Sequence, residues 1–447
     1  MTGITAIVLA AGMGTRMKSK TLKCLHKIAG LPMMDHLLAM LADIDASQKI
    51  LVISEEMKEK LVFPPDVKTV VQKERLGTGH AVMQAKEYFL ENSDDVVVVY
   101  GDNPLIRAET INEMISRRRE GMSVVVLGFD AKDPARYGRL VVDENGFLDR
   151  IVEFKDATNA EKKITLCNSG VMCFDGSRIA GLLSEITNDN KAGEYYLTDA
   201  VAIAKKNGLK VGVVIGDEEE MQGVNSRYEL AKAESNYQKR RRRELMDNGV
   251  TLIDPNTVYV SYDTEIAPDV VIEPNVFFGP HVKIESDVTV KAFSHIEGAT
   301  IKSGAVIGPF ARLRPGAVIE NDAHIGDFVE IKNSVIGKKS KVNHLSYIGD
   351  TDMGGGTNIG AGTITCNYDG YFKHRTVIGD NVFIGSHTCM VAPVVIGNGA
   401  FTAAGSTVTR NVPDDALAVA RAVQTVKEGW AADYHKTKRE LKAKQKK

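Results

Sequence analysis

The 447-residue sequence has few aromatic side chains, 6% with a single Trp, so large aromatic clusters are not what holds it together. Its five cysteines, Cys24, Cys167, Cys173, Cys366 and Cys389, form no CxxC pair and no even framework. That excludes a zinc ribbon or a disulfide scaffold and fits a reducing cytoplasm. No run reaches the ~18 apolar residues of a membrane span, and the first apolar stretch precedes the basic residues, the reverse of a secretory signal. Net charge is only −2, so neither nucleic acid nor a membrane is expected as a partner. What is plentiful is glycine, 40 residues, and the length implies more than one domain.

Up to residue 225, short apolar runs alternate with longer amphipathic stretches, the pattern of an α/β domain with a mostly parallel, Rossmann-like sheet. Strands are expected at Ile4–Leu9, Ile50–Ile53, Val96–Tyr100 and Val124–Leu127, with the unbroken first strand in the middle. Ligands in such sheets bind beyond the carboxyl ends of the strands, which directs attention to the residues after Leu9 and Tyr100. Residues 226–248 read as a helical linker: Ser226 and Glu229 have capping-box spacing and Asn248-Gly249 supplies a stop. Its basic run Lys239–Arg243 reads as a solvated face.

From residue 249 the apolar period becomes six. Ile266, Ile272, Phe278, Ile284, Val290 and Ile296 are in phase, and Ile301, Ile307, Leu313, Ile319, Ile325 and Ile331 continue after a one-residue deletion. Ile336, Val342 and Ile348 follow, and Ile378, Ile384, Met390 and Ile396 resume the series. A period of six cannot hold one face of a 3.6-residue helix, but it points side chains inward from the short strands of a β-solenoid. Gly follows the apolar position repeatedly, as in Ile325-Gly326 and Ile384-Gly385, and these glycines are expected to turn the corners. The basic stretch Lys436–Lys447 lacks apolar periodicity and is expected to be a disordered tail.

Leu9-Ala10-Ala11-Gly12-Met13-Gly14-Thr15-Arg16-Met17 follows the first strand directly. Its small residues let backbone N–H groups approach a polyphosphate, with Arg16 and Lys23 adding positive charge. A dinucleotide fingerprint would need Gly where Met17 stands, and a P-loop would need Gly-Lys-Ser/Thr. Asp102, just past the strand VVVVY, can hold a hard cation with help from a neutral oxygen such as that of Asn225. A tight strand-to-helix turn and a turn-forming Asp are the plain structural alternatives.

These residues, with Gln72, Leu76-Gly77-Thr78-Gly79-His80-Ala81 and Gly101-Asp102-Asn103-Pro104-Leu105, resemble the nucleotidylyltransferase domain of sugar-phosphate pyrophosphorylases. The resemblance implies that Leu9, Ala10, Ala11, Gly12, Lys23, Gln72, Gly77, Thr78 and Gly101 hold a uridine nucleotide. It implies too that Gly138, Glu153, Asn168 and Asn225 serve the sugar, and that Asp102 and Asn225 hold Mg²⁺. One departure is Thr21-Leu22-Lys23, where the family usually has Leu-Pro-Lys.

In the second half, Arg312–Ala317, Phe328–Lys332, His344–Asp350 and Asn358–Gly370 carry too many polar groups for plain scaffolding. With the first half they resemble, over nearly the whole chain, the bifunctional enzymes that acetylate glucosamine 1-phosphate and then uridylylate it. That likeness implies a left-handed parallel β-helix of hexapeptide repeats and a homotrimer, with acetyl-CoA and UTP as co-substrates. An amine attacking a thioester needs a base near neutrality, which suits His344. By the resemblance, Arg314, Lys332 and Lys373 bind the sugar phosphate and Tyr347 and Asn358 orient the sugar. Ala361, Asn367, Tyr368, Ser386, Ala404 and Arg421 bind acetyl-CoA. The catalytic set is then His344 for acetyl transfer and Arg16 with Lys23 for uridylyl transfer. The domains are expected at 1–225, 226–248 and 249–447. The alternative is a monofunctional nucleotidylyltransferase whose β-helix only oligomerises; a nucleotide-sensing subunit would be a third reading.

Overall fold

A computed structural model describes residues 3–12, 14–89, 94–135 and 137–445. Met13 of the glycine-rich loop and Lys446–Lys447 of the basic tail lie outside them. The chain divides into two compact units, residues 1–244 with 260–262, and 245–259 with 263–447.

The first unit is built on seven strands: β1 (Ile4–Leu9), β2 (Gln48–Ile53), β3 (Val67–Val71), β4 (Asp95–Tyr100), β5 (Val124–Asp130), β6 (Leu166–Asp175) and β7 (Val211–Gly216). Their order is β7-β5-β6-β4-β1-β2-β3, all parallel except β6, which runs antiparallel to both neighbours. The apolar runs sit inside the sheet because helices cover both faces. Ala6 and Val8 pack with the helices Met33–Asp43 and Ala108–Arg119, while Ile7 faces those of Thr78–Met83, Ile179–Ser184 and Asp199–Lys206. The central place of β1 brings the loop after Leu9 next to the loop after Tyr100: the Gly101 N–H donates to the Leu9 carbonyl at 2.9 Å.

The residues expected as a linker form the helix Arg227–Asp247, capped through Ser226 and Glu229 at 3.0 and 3.2 Å. It is no free rod. Ala233 and Tyr237 are buried with Ile28, Met33, Leu105 and Val224 of the first unit, and burying each large apolar side chain is worth roughly 1.5–3 kcal/mol.

The second unit is a coil of two- to four-residue strands in three parallel sheets of 10, 8 and 8 strands. Except at the two ends of the coil, each strand pairs with the third one after it, as Thr289–Val290 does with Val306–Ile307. This is the expected left-handed parallel β-helix. The period-six residues point inward; Ile296, Ile301, Ile307, Leu313, Ile319, Ile325 and Ile331 are all fully buried.

Two expectations about this unit need correction. Of the Gly residues after the apolar positions, Gly308 alone has a positive φ, 90°. The left-handed corners belong mostly to other residues, among them Asp269, Asn275, His281, Phe293, Phe310 and Phe328. Gly326, Gly337, Gly360, Gly379, Gly385 and Gly397 are required instead because a Cβ there would collide with the backbone of the following coil. As far as Lys444 the basic stretch is likewise helical rather than disordered: Trp430–Lys444 is an α-helix with no buried residue. Its helix formers Ala, Glu, Lys, Arg and Leu favour that conformation without needing an apolar face. The coil is also more polar inside than a period of apolar residues suggests. Thr357, Thr363, Thr365, Thr388 and Thr402 are buried; the first four donate their hydroxyls to carbonyls, as Thr363 does to Gly360 at 2.7 Å, and the Thr402 hydroxyl accepts from the Gly385 N–H at 3.1 Å.

Candidate active sites

Beyond the carboxyl ends of β1 and β4 lies a cavity of about 350 Å³. Leu9, Ala10, Ala11, Gly12, Lys23, Gln72, Gly77, Thr78, Gly101 and Asp102 all line it, although they are spread along the sequence from position 9 to position 102. Ala11 and Gly12 lie in the loop after β1, and their own two N–H groups make no hydrogen bond among the described residues. Gln72 is buried after β3 and its amide donates to the Gly77 carbonyl at 3.1 Å. Gly77 has φ 108°, and a Cβ there would strike the Tyr195 backbone. Thr78 accepts from the Leu197 N–H at 3.0 Å, pinning this loop to the chain around Tyr195 and Tyr196.

Lys23 reaches two oxygens at once, Asp102 Oδ2 at 2.8 Å and Asn225 Oδ1 at 3.1 Å. The pair expected as metal ligands therefore converges on one cationic position, and all three side chains are at most part-exposed. An Asp and an Asn oxygen suit Mg²⁺, which keeps waters and substrate phosphates as its other ligands; the donor set fits. Among the described residues no group of three or more His, Cys, Asp or Glu could hold a metal. Leu22 stands at φ −55°, ψ 142°, the conformation a proline would impose, so the turn carrying Lys23 keeps its shape without one. Arg16 is exposed on the turn Thr15–Met17 and is not part of the cavity lining.

Gly138, Glu153 and Asn168 form a separate cluster beside it. The Asn168 N–H donates to the Gly138 carbonyl at 2.8 Å, and a Cβ on Gly138 would sit 3.5 Å from Glu153 Oε1 and 3.7 Å from Asn168 Cβ. Burial raises the Glu153 carboxyl above its usual value, with Asp156 and Asp199 adding to the effect. Between cluster and cavity, the Tyr100 phenol is pushed up to about 12 by burial, so it stays a neutral donor.

On the β-helix, His344 ends the strand Lys341–His344, one coil beyond Asp327. Its Nδ1 lies 2.6 Å from Asp327 Oδ1. With Nδ1 donating to the carboxylate, Nε2 is left as the acceptor. The hydrogen bond from His344 holds the Asp327 carboxyl below the usual range. The next face carries Tyr347 and Lys332 on stacked strands, with Arg314 directly after the strand Arg312–Leu313 that pairs below them. Arg314 pairs with Glu330 at 2.8 Å. Asp350 accepts from Asn333 at 2.6 Å and from Asn367, whose amide also lies 3.4 Å from the Tyr347 hydroxyl. Burial opposes the Asp350 charge, yet those bonds together with Lys332 and Lys373 hold its carboxyl low. Burial and the neighbouring Lys373 lower the Lys332 ammonium, the signature of two cations crowded where an anion would relieve them. Lys373 also sits 5.2 Å over the Tyr368 ring.

Asn358 lies opposite Lys341 on the strand Asn358–Ile359, one coil beyond the strand that ends at His344. Ala361, Ser386 and Ala404 then occupy successive coils at the His344 corner: the His387 N–H donates to the Ala361 carbonyl and the Gly405 N–H to that of Ser386, both at 2.8 Å. Arg421 is exposed one coil further on. Sequence reasoning missed Arg75, Glu194 and Tyr196 in the cavity and Asp327 and Asp350 on the coil. The 17-residue coil step from Asp327 to His344 was the signal for the fourth.

Residues 6–194 match the family of MobA-like NTP transferase domains and residues 295–409 that of the GMPPB C-terminal domain. The chain is 54% identical to the bifunctional protein GlmU of Maricaulis maris, covering 98% of both chains. It is 50% identical to that of Paramagnetospirillum magneticum over 99% of this chain and 98% of the relative, and 49% identical to that of a Bradyrhizobium strain over 97% of each. With such identity along its whole length, the chain belongs to the GlmU family of bifunctional proteins.

Proposed function

We propose that the cavity beyond β1 and β4 is the uridylyl-transfer site and the His344 corner of the β-helix the acetyl-transfer site. The enzyme moves the acetyl group of acetyl-CoA to glucosamine 1-phosphate, then joins N-acetylglucosamine 1-phosphate to the uridylyl group of UTP, releasing pyrophosphate. The observation that carries the site assignment is the convergence of Lys23, Asp102 and Asn225 at the cavity.

In the uridylyl site, Leu9–Gly12, Gln72, Gly77, Thr78 and Gly101 hold the nucleotide, and Gly138, Glu153 and Asn168 take the sugar. A sugar-phosphate oxygen attacks the α-phosphorus of UTP in line, and the bond to the β-phosphate oxygen breaks. Both reactants are anions, so catalysis is chiefly positioning and charge neutralisation, supplied by Lys23 and Arg16. Asp102 and Asn225 would hold Mg²⁺, which when bound neutralises phosphate charge.

In the acetyl site, the sugar amine attacks the thioester carbonyl carbon and His344 takes the amine proton at Nε2 while Asp327 steadies Nδ1–H. Coenzyme A leaves as the thiolate. Arg314, Lys332 and Lys373 hold the sugar phosphate, and Tyr347 and Asn358 orient the ring. Ala361, Asn367, Tyr368, Ser386, Ala404 and Arg421 contact acetyl-CoA. The working form is a homotrimer: Phe293, Phe310 and Phe328 stack in an exposed ladder, rings 5.0 and 5.1 Å apart, which a partner copy would cover. The enzyme works in the cytoplasm; no helix among the described residues is long and apolar enough to cross a membrane.

The test is two substitutions assayed for both reactions. His344→Ala should remove acetyl transfer and spare uridylyl transfer, and Asp102→Ala should do the reverse. Loss of both activities from either change in a folded protein would refute the two-site assignment.

A further inference from the structure

Five charged side chains line the uridylyl cavity: Lys23, Glu56, Arg75, Asp102 and Glu194. The Lys23 charge is already committed to Asp102, and the other two carboxylates would repel a polyphosphate. Arg75 is the lining cation that pairs with no carboxylate among the described residues. Its Nε donates to the Ala11 carbonyl at 3.1 Å, leaving both terminal amino groups of the guanidinium without a partner among those residues. The same peptide stretch presents the unengaged N–H groups of Ala11 and Gly12. A planar cation braced on one edge, beside free backbone donors, is suited to bidentate phosphate binding.

We infer that Arg75 is a phosphate-binding residue for the nucleotide, fixed in place by its bond to the Ala11 carbonyl. This rests on the uridylyl-transfer reading of the cavity. It makes Arg75 part of a clamp whose other side is the Ala11–Gly12 backbone, a role no feature of the glycine-rich motif announces. Arg75 is exposed, so a loss of about tenfold in affinity is expected on removing its charge, the size of one partly screened charge-assisted pair.

The experiment measures UTP and uridine binding by calorimetry, and KM and kcat for UTP, on the full-length protein and two variants. Arg75→Gln keeps a donor for the Ala11 carbonyl but removes the charge; Arg75→Lys keeps the charge but removes the fixed brace. Arg75→Gln should raise Kd and KM for UTP about tenfold, leave kcat within about twofold, and leave uridine binding unchanged. Arg75→Lys should fall between it and the unmodified protein. The melting transition of the first unit, measured in parallel by scanning calorimetry, reports on its folding. Unchanged UTP binding in Arg75→Gln would overturn the inference. So would equal weakening for uridine and UTP, or a loss confined to kcat, since either would mean that Arg75 only shapes the loop. Failure of the unmodified protein to bind UTP would instead sink the uridylyl-transfer reading itself.

Discussion

Gly385→Ala tests the claim that the glycines after the apolar positions are demanded by the close approach of successive coils. A methyl group there would lie 2.5 Å from both the Ala404 nitrogen and the Thr402 carbonyl oxygen, where ordinary contact begins at 3.4 Å. Both obstacles are backbone, so no rotamer relieves the overlap of about 0.9 Å; the coil spacing must widen. Widening stretches the Gly385-to-Thr402 bond at 3.0 Å and the Phe383-to-Ala400 bond at 2.9 Å. Two ladder bonds at about 1 kcal/mol each, with about 1–3 kcal/mol of overpacking, give roughly 3–5 kcal/mol. For a unit of this size that lowers the melting temperature by roughly 6–20 °C. Scanning calorimetry reads it, with acetyl-CoA KM as a second readout because Ser386 and Ala404 flank the displaced peptide. The control is Gly181→Ala, where the added methyl meets nothing within 4 Å in the helix Ile179–Ser184; it should be neutral or stabilise by up to about 1 kcal/mol. If Gly385→Ala melts within about 2 °C of the unmodified protein, with acetyl-CoA KM unchanged, the close-approach argument is wrong.

The proline-like φ of Leu22 makes Leu22→Pro compatible with the fold, so it should retain uridylyl transfer and shift stability by less than about 1 kcal/mol; a collapse of kcat would show that the turn needs the leucine. Glu153 has its carboxyl raised by burial, with Asp156 and Asp199 contributing. The fold thus favours its protonated form, a contribution complete below pH 4.5 and lost as pH rises through the raised value. Glu153→Gln should therefore raise the melting temperature more at pH 8 than at pH 4 while weakening sugar-phosphate binding, and an equal gain at both pH values would contradict the linkage.

Much of both sites could be read in the chain because their chemistry sits in contiguous motifs. The glycine-rich loop after β1, the loop around Gly77 and the His344 segment announce themselves by composition. Arg75 and Asp327 do not, since an isolated Arg or Asp is ordinary surface chemistry until a neighbouring element gives it a partner. The β-helix was legible in outline, because six-residue phase survives any loop. Its Thr-lined stretch was not, because a buried hydroxyl looks polar in sequence and becomes acceptable inside only once a carbonyl of the coil accepts from it.

The sequence by itself determined the two architectures, through the change of apolar period, and the class of chemistry, through residue types that approach phosphate or take a proton near neutrality. Tertiary structure decided what those residues face. It set Lys23 between Asp102 and Asn225, moved Arg16 out of the cavity lining and Arg75 into it, and put Asp327 behind His344. It also reassigned most of the glycines that follow the apolar positions from corners to contacts between coils. The physical reason is range: period and propensity act over a few residues, whereas a charge or a steric limit depends on neighbours that only folding brings within a few ångströms.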